Sequence, residues 1–205
     1  MMLKRFSLSL AASLALAGAA PGLALAQGAP PPAQSGTYTL EPIHAMILFG
    51  VSHFGFSDYY GQVPGATGAL TLDAANPSAS HLDVSVPAAN VWTASDKLTG
   101  ELKSPDWLDA AKYPAITFHS KSITVTGPTT ADVAGDLTLH GVTKPVVLKA
   151  TFKRGAVFPM NRKYMIGFDA TGHIKRSEFG VDKYVNYGLG DDVDLIISAP
   201  FEKAS

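Results

Sequence analysis

Residues 135–152 read GDLTLHGVTKPVVLKATF and predict two strands joined by a turn. In the first strand Leu137 and Leu139 share one face, and their polar neighbours take the other. After a turn at residues 141–145, apolar side chains again occupy every second position of the second strand: Val146, Leu148, Ala150 and Phe152. The stretch therefore predicts a β-hairpin with one apolar face.

A different signal lies upstream in ELKSPDWLDAAKYPAITF, residues 101–118. Ser104 and Pro105 are typical of a helix start, and Pro114 is typical of a stop before the next alternating strand. A short helical element is expected at residues 95–112. Trp107, within it, is interpreted either as a lid or plug over the sheet or as ordinary packing.

These two stretches together resemble the YceI family of secreted, lipocalin-like proteins. The resemblance extends to TYTLEPIHAMILFGVSHFGFS (37–57), LTLDAANPSASHLDVSVPAANVWT (70–93) and GFDATGHIKRSEFGV (167–181). It implies an extended antiparallel sheet closed into a barrel with a small helical element, holding polyisoprenoid or similar amphiphilic lipids inside. The expected fold class is thus all-β: a lipocalin-like antiparallel β-barrel of about eight strands.

The first 26 residues have the composition of a signal peptide: a basic start, an apolar centre from Leu8 to Ala20, and the small-residue site Ala24-Leu25-Ala26. Cleavage there predicts export to the periplasm. An uncleaved membrane anchor is the alternative, but Gly18 and Pro21 interrupt the apolar run before the roughly 20 residues that a bilayer needs.

After the signal peptide, residues 27–36 contain three consecutive prolines and predict an extended linker. Residues 37–205 are expected to form a single domain, with no segment that spans a membrane after cleavage. The chain has no cysteine, which excludes thiol chemistry, and its formal charge of −1 becomes more negative once the leader is removed. A nucleic-acid partner is therefore not expected.

Strand-like segments recur with turn residues between them, which predicts an antiparallel sheet. Periodicity alone leaves open a sandwich or a barrel, and the barrel follows from the resemblance. The predicted strands are residues 37–40, 45–52, 67–73, 81–87, 115–125, 132–140, 146–153, 163–175 and 192–202.

Catalytic motifs are not found in the sequence. GVSHFG at residues 50–55 lacks the second glycine of a nucleophile elbow, and no zinc-protease, P-loop or dinucleotide motif is present. His119, His140 and His173 share strand faces with polar residues, which argues against a metal centre inside a barrel. No catalytic residue, metal or cofactor is expected, and the protein is not expected to be an enzyme.

The segment HFGFSDYYGQ, residues 53–62, is interpreted as a mobile loop whose aromatic side chains form a portal. Phe54 and Phe56 could instead anchor the loop to the core. His53, like His44, is a candidate for a pocket mouth, where a neutral imidazole could hydrogen-bond a ligand head group, or for a turn cap.

The function expected is an exported, non-enzymatic carrier or store for an isoprenoid-type or other amphiphilic lipid, or a quinone. The alternation alone does not separate cavity wall from ordinary core. The predicted ligand-binding residues are Ile47, Phe49, Val51, His53, Phe54, Phe56, Leu70, Leu82, Val84, Trp107, Phe118, Leu137, Leu139, Phe152, Ile166 and Phe168.

Two other functions remain open from the sequence. A small enzyme acting on a hydrophobic substrate would need an inward polar pair, such as Tyr164 with His44 or Asp169 with His173. A solid-barrel interaction module would bind a partner through loops such as residues 184–190. A homodimer is compatible with the carrier function and with both alternatives.

Overall fold

The computed structural model describes residues 33–204. The predicted signal peptide and the first part of the predicted linker lie outside the described residues. Within them the chain forms eleven strands, one α-helix and four short 3₁₀ helices. The strands are β1 (Gly36–Leu40), β2 (Met46–His53), β3 (Ser57–Gln62), β4 (Thr67–Leu72), β5 (His81–Pro87), β6 (Trp92–Thr93), β7 (Ala115–Val125), β8 (Thr130–Leu139), β9 (Val142–Val157), β10 (Tyr164–Lys175) and β11 (Asp192–Lys203), and the helix is α1 (Asp96–Lys103). The 3₁₀ helices span Pro77–Ala79, Ala88–Asn90, Arg176–Phe179 and Val185–Tyr187.

The sheet closes into an antiparallel barrel of eight strands, as predicted. The order around the ring is β1, β4, β5, β7, β8, β9, β10 and β11, and β1 pairs with both β4 and β11. Closure leaves none of these eight strands with an exposed edge along its whole length.

One flank of β11 is shared by two strands. Its second half pairs with β1, through Leu40 opposite Phe201, and its first half pairs with β2, through Val51 opposite Val193. From β2 the sheet continues into β3 and then the two-residue strand β6. The barrel therefore carries a side flap of three strands at one end.

The predicted hairpin forms, but its turn is shorter than expected. His140 and Gly141 alone join β8 to β9, and both have positive φ (51° and 73°). This is the two-residue turn that matches the twist of an antiparallel pair. Residues 142–145, predicted as turn, belong to β9 because the register continues without a break to Leu139 opposite Val142.

Two register shifts help to bend the long strands around the barrel. One leaves Lys121 as an extra residue in β7, and the other leaves Lys153 as an extra residue in β9. Such bulges increase strand twist and bending. Both lysines form surface ion pairs, with Asp136 at 3.0 Å and with Asp169 at 2.8 Å.

The helix lies earlier than the Ser104-Pro105 start predicted for it. Ser95 caps its first turn, accepting a hydrogen bond from the backbone N–H of Leu98, and the helix ends at Lys103. Ser104 is already extended (φ −71°, ψ 165°), because a residue before proline is disfavoured in the helical conformation. The prediction of a start there is wrong, since Ser104 and Pro105 end the helix.

The predicted mobile loop at residues 53–62 is a second hairpin. Only residues 54–56 turn, and Tyr59 and Tyr60 lie in β3 opposite Val51 and Gly50 of β2. The strand escaped prediction because SDYYGQ has no alternation of apolar and polar residues. The two-residue β6 escaped prediction as well.

Apolar side chains inside the barrel form two separate clusters. One gathers buried residues of β1, β4, β10 and β11, including Tyr38, Ile166 and Phe201, and the other gathers residues of β7 to β10, including Phe118 and Leu137. In the strands of the ring, the inward face is the apolar face read from the sequence. Leu82, Leu108 and Ile116, which are partly buried, pack against both clusters.

Candidate functional site

A cavity of about 690 Å³ runs through the interior of the barrel. Its wall is made almost wholly of apolar side chains from the inward faces of the strands, and the helix and the segment after β10 complete it. A volume of this size falls within the range of small-molecule pockets, roughly 300–1,000 Å³. The barrel is therefore hollow rather than filled by its own side chains.

Most of the residues predicted to bind a ligand lie on this wall. They come from six strands, the β2–β3 turn and the segment after the helix, which the barrel brings together. The predicted residues on the wall are Ile47, Phe49, Val51, His53, Phe54, Leu70, Leu82, Val84, Trp107, Phe118, Leu137, Leu139 and Phe168.

Three predicted residues lie away from the wall. Ile166 has only 1% of its surface exposed and belongs to the packed cluster around Tyr38. Phe152 packs against Phe168, with ring centroids 5.5 Å apart, behind the lining. Phe56 points away from the interior at the tip of the β2–β3 turn, 90% exposed, so it anchors nothing to the core.

Small inward residues help to keep the cavity open. Ala150, Ala170 and Ala199 line it at positions where a larger side chain would project into the space. Gly172 has another role, because a Cβ there would lie 2.6 Å from Cδ2 of Leu148. The alanines therefore contribute the open volume, whereas this glycine allows a neighbouring leucine to pack closely.

The exposed residues of the cavity wall lie together at one end of the barrel. Among its lining residues only His53, Phe54, Glu101 and Tyr184 are exposed. They come from the β2–β3 turn, α1 and the segment between β10 and β11. These three elements surround the mouth of the cavity.

Arg176 is the one buried charged residue in the described chain, with 6% of its surface exposed, and it lines the cavity. Its Nε donates to the carbonyl of Gly190 at 2.7 Å, and its Nη1 donates to the carbonyls of Val181 (2.7 Å) and Lys183 (3.0 Å). Nη2 donates to Leu189 at 3.3 Å. Burial lowers the pKa of the guanidinium, although arginine stays protonated.

These hydrogen bonds fix the segment 181–190 at the mouth. No carboxylate in residues 33–204 lies within ion-pair distance of Arg176, so backbone carbonyls accept the hydrogen bonds of its guanidinium, while Asp191 and Asp182 favour its charged form from a longer distance. Asp191 binds nearby instead, accepting from the backbone N–H and the hydroxyl of Ser177 at 2.9 and 2.8 Å. The segment is held as a defined structure although little of it is regular.

Trp107 lies between this segment and the cavity. Its indole ring is buried, 5.6 Å from Cζ of Arg176 and 6.2 Å from the ring of Tyr184 between centroids. Leu98 and Leu102 of α1 line the cavity beside it. The tryptophan and the helix thus form part of the wall next to the mouth.

Neither of the two polar pairs named from the sequence, Tyr164 with His44 or Asp169 with His173, is formed. His44 binds Glu41 on the surface, with 2.6 Å between Nδ1 and Oε2, and does not meet Tyr164. Asp169 binds Lys153 and the hydroxyl of Ser198, and these contacts lower the pKa of its carboxyl group, the Lys153 hydrogen bond first.

His173 lies on the outer face of β10 and meets two carboxylates of β11. Its Nδ1 is 2.9 Å from Asp194, and its Nε2 is 2.9 Å from Asp192. These hydrogen bonds, that of Asp194 first, raise the pKa of the imidazole. Over residues 33–204 the histidine, aspartate and glutamate side chains nowhere gather in a group of three or more arranged to hold a metal ion.

Sequence reasoning missed the contribution of the segment after β10. Arg176, Val181, Tyr184 and Leu189 all line the cavity. Arg176 could have been found from strand parity, because it follows the inward Ile174 by two residues. The other three lie in irregular backbone, where neither alternation nor helical spacing applies.

A closed antiparallel barrel around an apolar cavity places the protein in the class of lipocalin-like barrels. The YceI-like domain model matches residues 38–201, and this chain belongs to that family. A UPF0312 protein of Pseudomonas savastanoi pv. phaseolicola is 41% identical over 141 residues, covering 69% of this chain and 73% of that protein.

Two solved structures share the architecture. The YCEI protein of Campylobacter jejuni is 29% identical, with a TM-score of 0.65 over 75% of this chain and 90% of that one. A polyisoprenoid binding domain from Saccharophagus degradans has a TM-score of 0.64 at 14% identity, over 83% of this chain and all of that one. The second likeness is one of fold. Across residues 33–204 of the present chain, no helix has the length and apolar character to cross a bilayer.

Proposed function

We propose that this protein is an exported carrier or store that holds an isoprenoid-type or other amphiphilic lipid, such as a quinone, inside its barrel. The observation that carries the proposal is the long cavity with an almost purely apolar wall. The likeness in fold to the polyisoprenoid binding domain from Saccharophagus degradans supports it. The signal-peptide composition of residues 1–26 supports export to the periplasm.

The energetics of burial suit a prenyl chain. Each methylene moved from water into the cavity contributes roughly 0.8 kcal/mol, so about 15 of them contribute on the order of 12 kcal/mol. Loss of translational freedom and ordering of the chain offset several kcal/mol of this. What remains corresponds to a dissociation constant between micromolar and nanomolar.

The polar end of such a ligand would lie at the mouth. The polar side chains of the wall there are His53, Glu101, Arg176 and Tyr184. Since the charge of Arg176 has no directly bonded carboxylate, a carbonyl or anionic head group is favoured over a cationic one.

The test is to purify the protein from its native compartment, extract it with organic solvent, and identify the released molecules by mass spectrometry. A prenyl lipid released in stoichiometric amount supports the proposal, and its head group identifies the ligand. An empty extract, combined with failure to bind added prenyl lipid, would overturn it. Turnover of the added lipid would instead indicate an enzyme.

A further inference from the structure

Four aromatic side chains surround the mouth of the cavity, and we call them the rim: Phe54, Phe56, Tyr184 and Tyr187. Phe54 and Tyr184 face both the cavity and solvent, whereas Phe56 and Tyr187 project outward, 90% and 80% exposed. Large exposed aromatics clustered at one place mark an interaction surface rather than chance exposure.

The two rim segments are joined to each other. The N–H of Gly190 donates to the carbonyl of Ser52 at 2.8 Å, and a Cβ built on Gly188 would lie 3.7 Å from Cδ1 of Phe54. The rings of Tyr184 and Tyr187 are 6.1 Å apart between centroids. With the four carbonyl contacts of Arg176, this makes the rim a preorganised surface.

Two rim residues have a backbone conformation that is unfavourable for aromatic side chains. Phe54 and Tyr184 have positive φ, 54° and 64°, a region that bulky side chains seldom adopt and that glycine or asparagine would adopt at less cost. The chain nevertheless has an aromatic residue at each position. Strain of this kind, held by surrounding contacts, is a recognised feature of functional surfaces.

The charges beside the rim do not form a basic patch. Lys183 is paired with Asp106 at 2.6 Å, and Asp182 precedes it in the chain. An anionic surface is therefore not what the rim recognises. Tyrosine and phenylalanine without added charge suit the interfacial layer of a bilayer, where amphipathic rings are favoured.

We propose that the rim docks the protein onto a lipid bilayer, with the cavity mouth facing the lipid phase. A prenyl chain then passes between membrane and barrel without crossing water. Phe54 and Tyr184 line the cavity and are also exposed, and the ring of Tyr187 lies 6.1 Å from that of Tyr184, so aromatic side chains lead from the cavity wall to the surface. This inference rests on the proposed function for its purpose, but docking itself is measured separately.

The test variant is Phe56→Ser/Tyr187→Ser, because these two side chains are the most exposed and touch the barrel least. The matched control is Phe158→Ser/Met160→Ser in the β9–β10 turn, where Met160 is 85% exposed. The 12 residues of β10 separate this turn from the rim end of the barrel, a distance of roughly 35 Å at about 3.3 Å per residue.

Docking is measured by co-sedimentation with phosphatidylcholine vesicles that contain no prenyl lipid. We expect wild type and the control to bind equally, binding to persist between about 0.1 and 0.5 M salt because no charge attraction is needed, and the rim variant to bind at least about tenfold more weakly. Equal vesicle binding by the rim variant would overturn the proposal. So would binding that requires anionic lipid, or the absence of any vesicle binding, which would leave the rim as a protein-contact surface.

Ligand binding is measured with a fluorescent prenyl alcohol, first in detergent and then loaded in the vesicles. The rim variant is expected to bind the probe in detergent within about twofold of wild type, but to take it from vesicles at least about tenfold more slowly. Vesicle docking without probe binding in detergent would refute the carrier function and leave docking intact. Probe binding in detergent with equal uptake by both variants would refute docking alone.

Discussion

The guanidinium of Arg176 lies against the indole of Trp107, with its Cζ 5.6 Å from the ring centroid. This contact joins the segment after β10 to the segment after α1 at the mouth of the cavity. A planar cation can both stack on an aromatic ring and donate in several directions. Few other side chains could hold four carbonyls and an indole together.

Replacing Arg176 by methionine should destabilise the protein by about 3 kcal/mol or more, because four carbonyl oxygens lose their donor while the side-chain length is nearly kept. Urea unfolding measures the loss, and amide hydrogen exchange should accelerate over residues 181–190. The control Arg154→Met changes an exposed arginine and should stay within about 0.5 kcal/mol of wild type. An unchanged exchange rate at the mouth would refute this role.

Replacing Ala170 by phenylalanine should fill part of the cavity, since Ala170 lines it from β10. Displacing about two or three methylenes of a bound prenyl chain would weaken binding by roughly tenfold or more, with shorter chains less affected. Titration with prenyl alcohols of graded length measures this effect. The control Thr171→Phe places the same ring on the outer face of the same strand, and equal affinities for both variants would contradict the prediction.

Replacing Gly141 by alanine should cost about 1 to 3 kcal/mol, because its φ is +73° and a Cβ there would lie 2.4 Å from Cε1 of Tyr113. Gly100 provides the opposite case, since it lies in α1 and an added Cβ would meet nothing within 4 Å. Gly100→Ala should stabilise by about 0.5 to 1 kcal/mol. Thermal unfolding of the two variants should shift in opposite directions, and a common direction would disprove the turn argument.

The hydrogen bonds of His173 to Asp194 and Asp192 make part of the stability depend on pH. They raise its pKa in the folded state above the value in the unfolded chain, near 6.5. Their stabilisation is therefore complete below about pH 6.5 and lost as pH rises through the higher folded value. Lys175 shares Asp192, at 2.7 Å, and remains paired throughout that range.

The substitution His173→Gln should therefore lower the melting temperature more at about pH 5.5 than at about pH 8.5. Differential scanning calorimetry at both pH values measures the difference. His81→Gln is the control, because His81 is exposed and forms no ion pair within residues 33–204. An equal loss for His173→Gln at both pH values would show that the ion pairs contribute nothing.

The sequence indicates which residues of a strand face inward, but it does not indicate which inward residues are packed in the core and which line the cavity. Ile166 and Phe168 lie on the same face of β10, yet Ile166 is buried in a packed cluster and Phe168 lines the cavity. Their difference depends on what arrives from other strands, such as Tyr38 and Phe201, and no local pattern encodes that.

The sequence predicted the presence of most helices and strands better than it predicted the residues at which they begin and end. Ser104 and Pro105 fit a helix start as well as a helix end, and only the cap at Ser95 decided between them. The backbone of Tyr184 in the mouth segment is left-handed without glycine. Such a conformation is fixed by tertiary contacts, here the carbonyl contacts of Arg176, and leaves no signal in the local sequence.

Because β11 pairs with β1 along one half and with β2 along the other, the two ends of the barrel close differently. Where β1 joins β11 to β4, a complete ladder of hydrogen bonds fixes the circumference. At the other end β11 pairs with β2, and the sheet continues through β3 to β6, where it ends. In the described residues no backbone hydrogen bonds close the ring of strands at that end. At that end the circumference of the barrel therefore depends on side-chain packing and on the segment that Arg176 holds, rather than on a closed ladder of backbone hydrogen bonds.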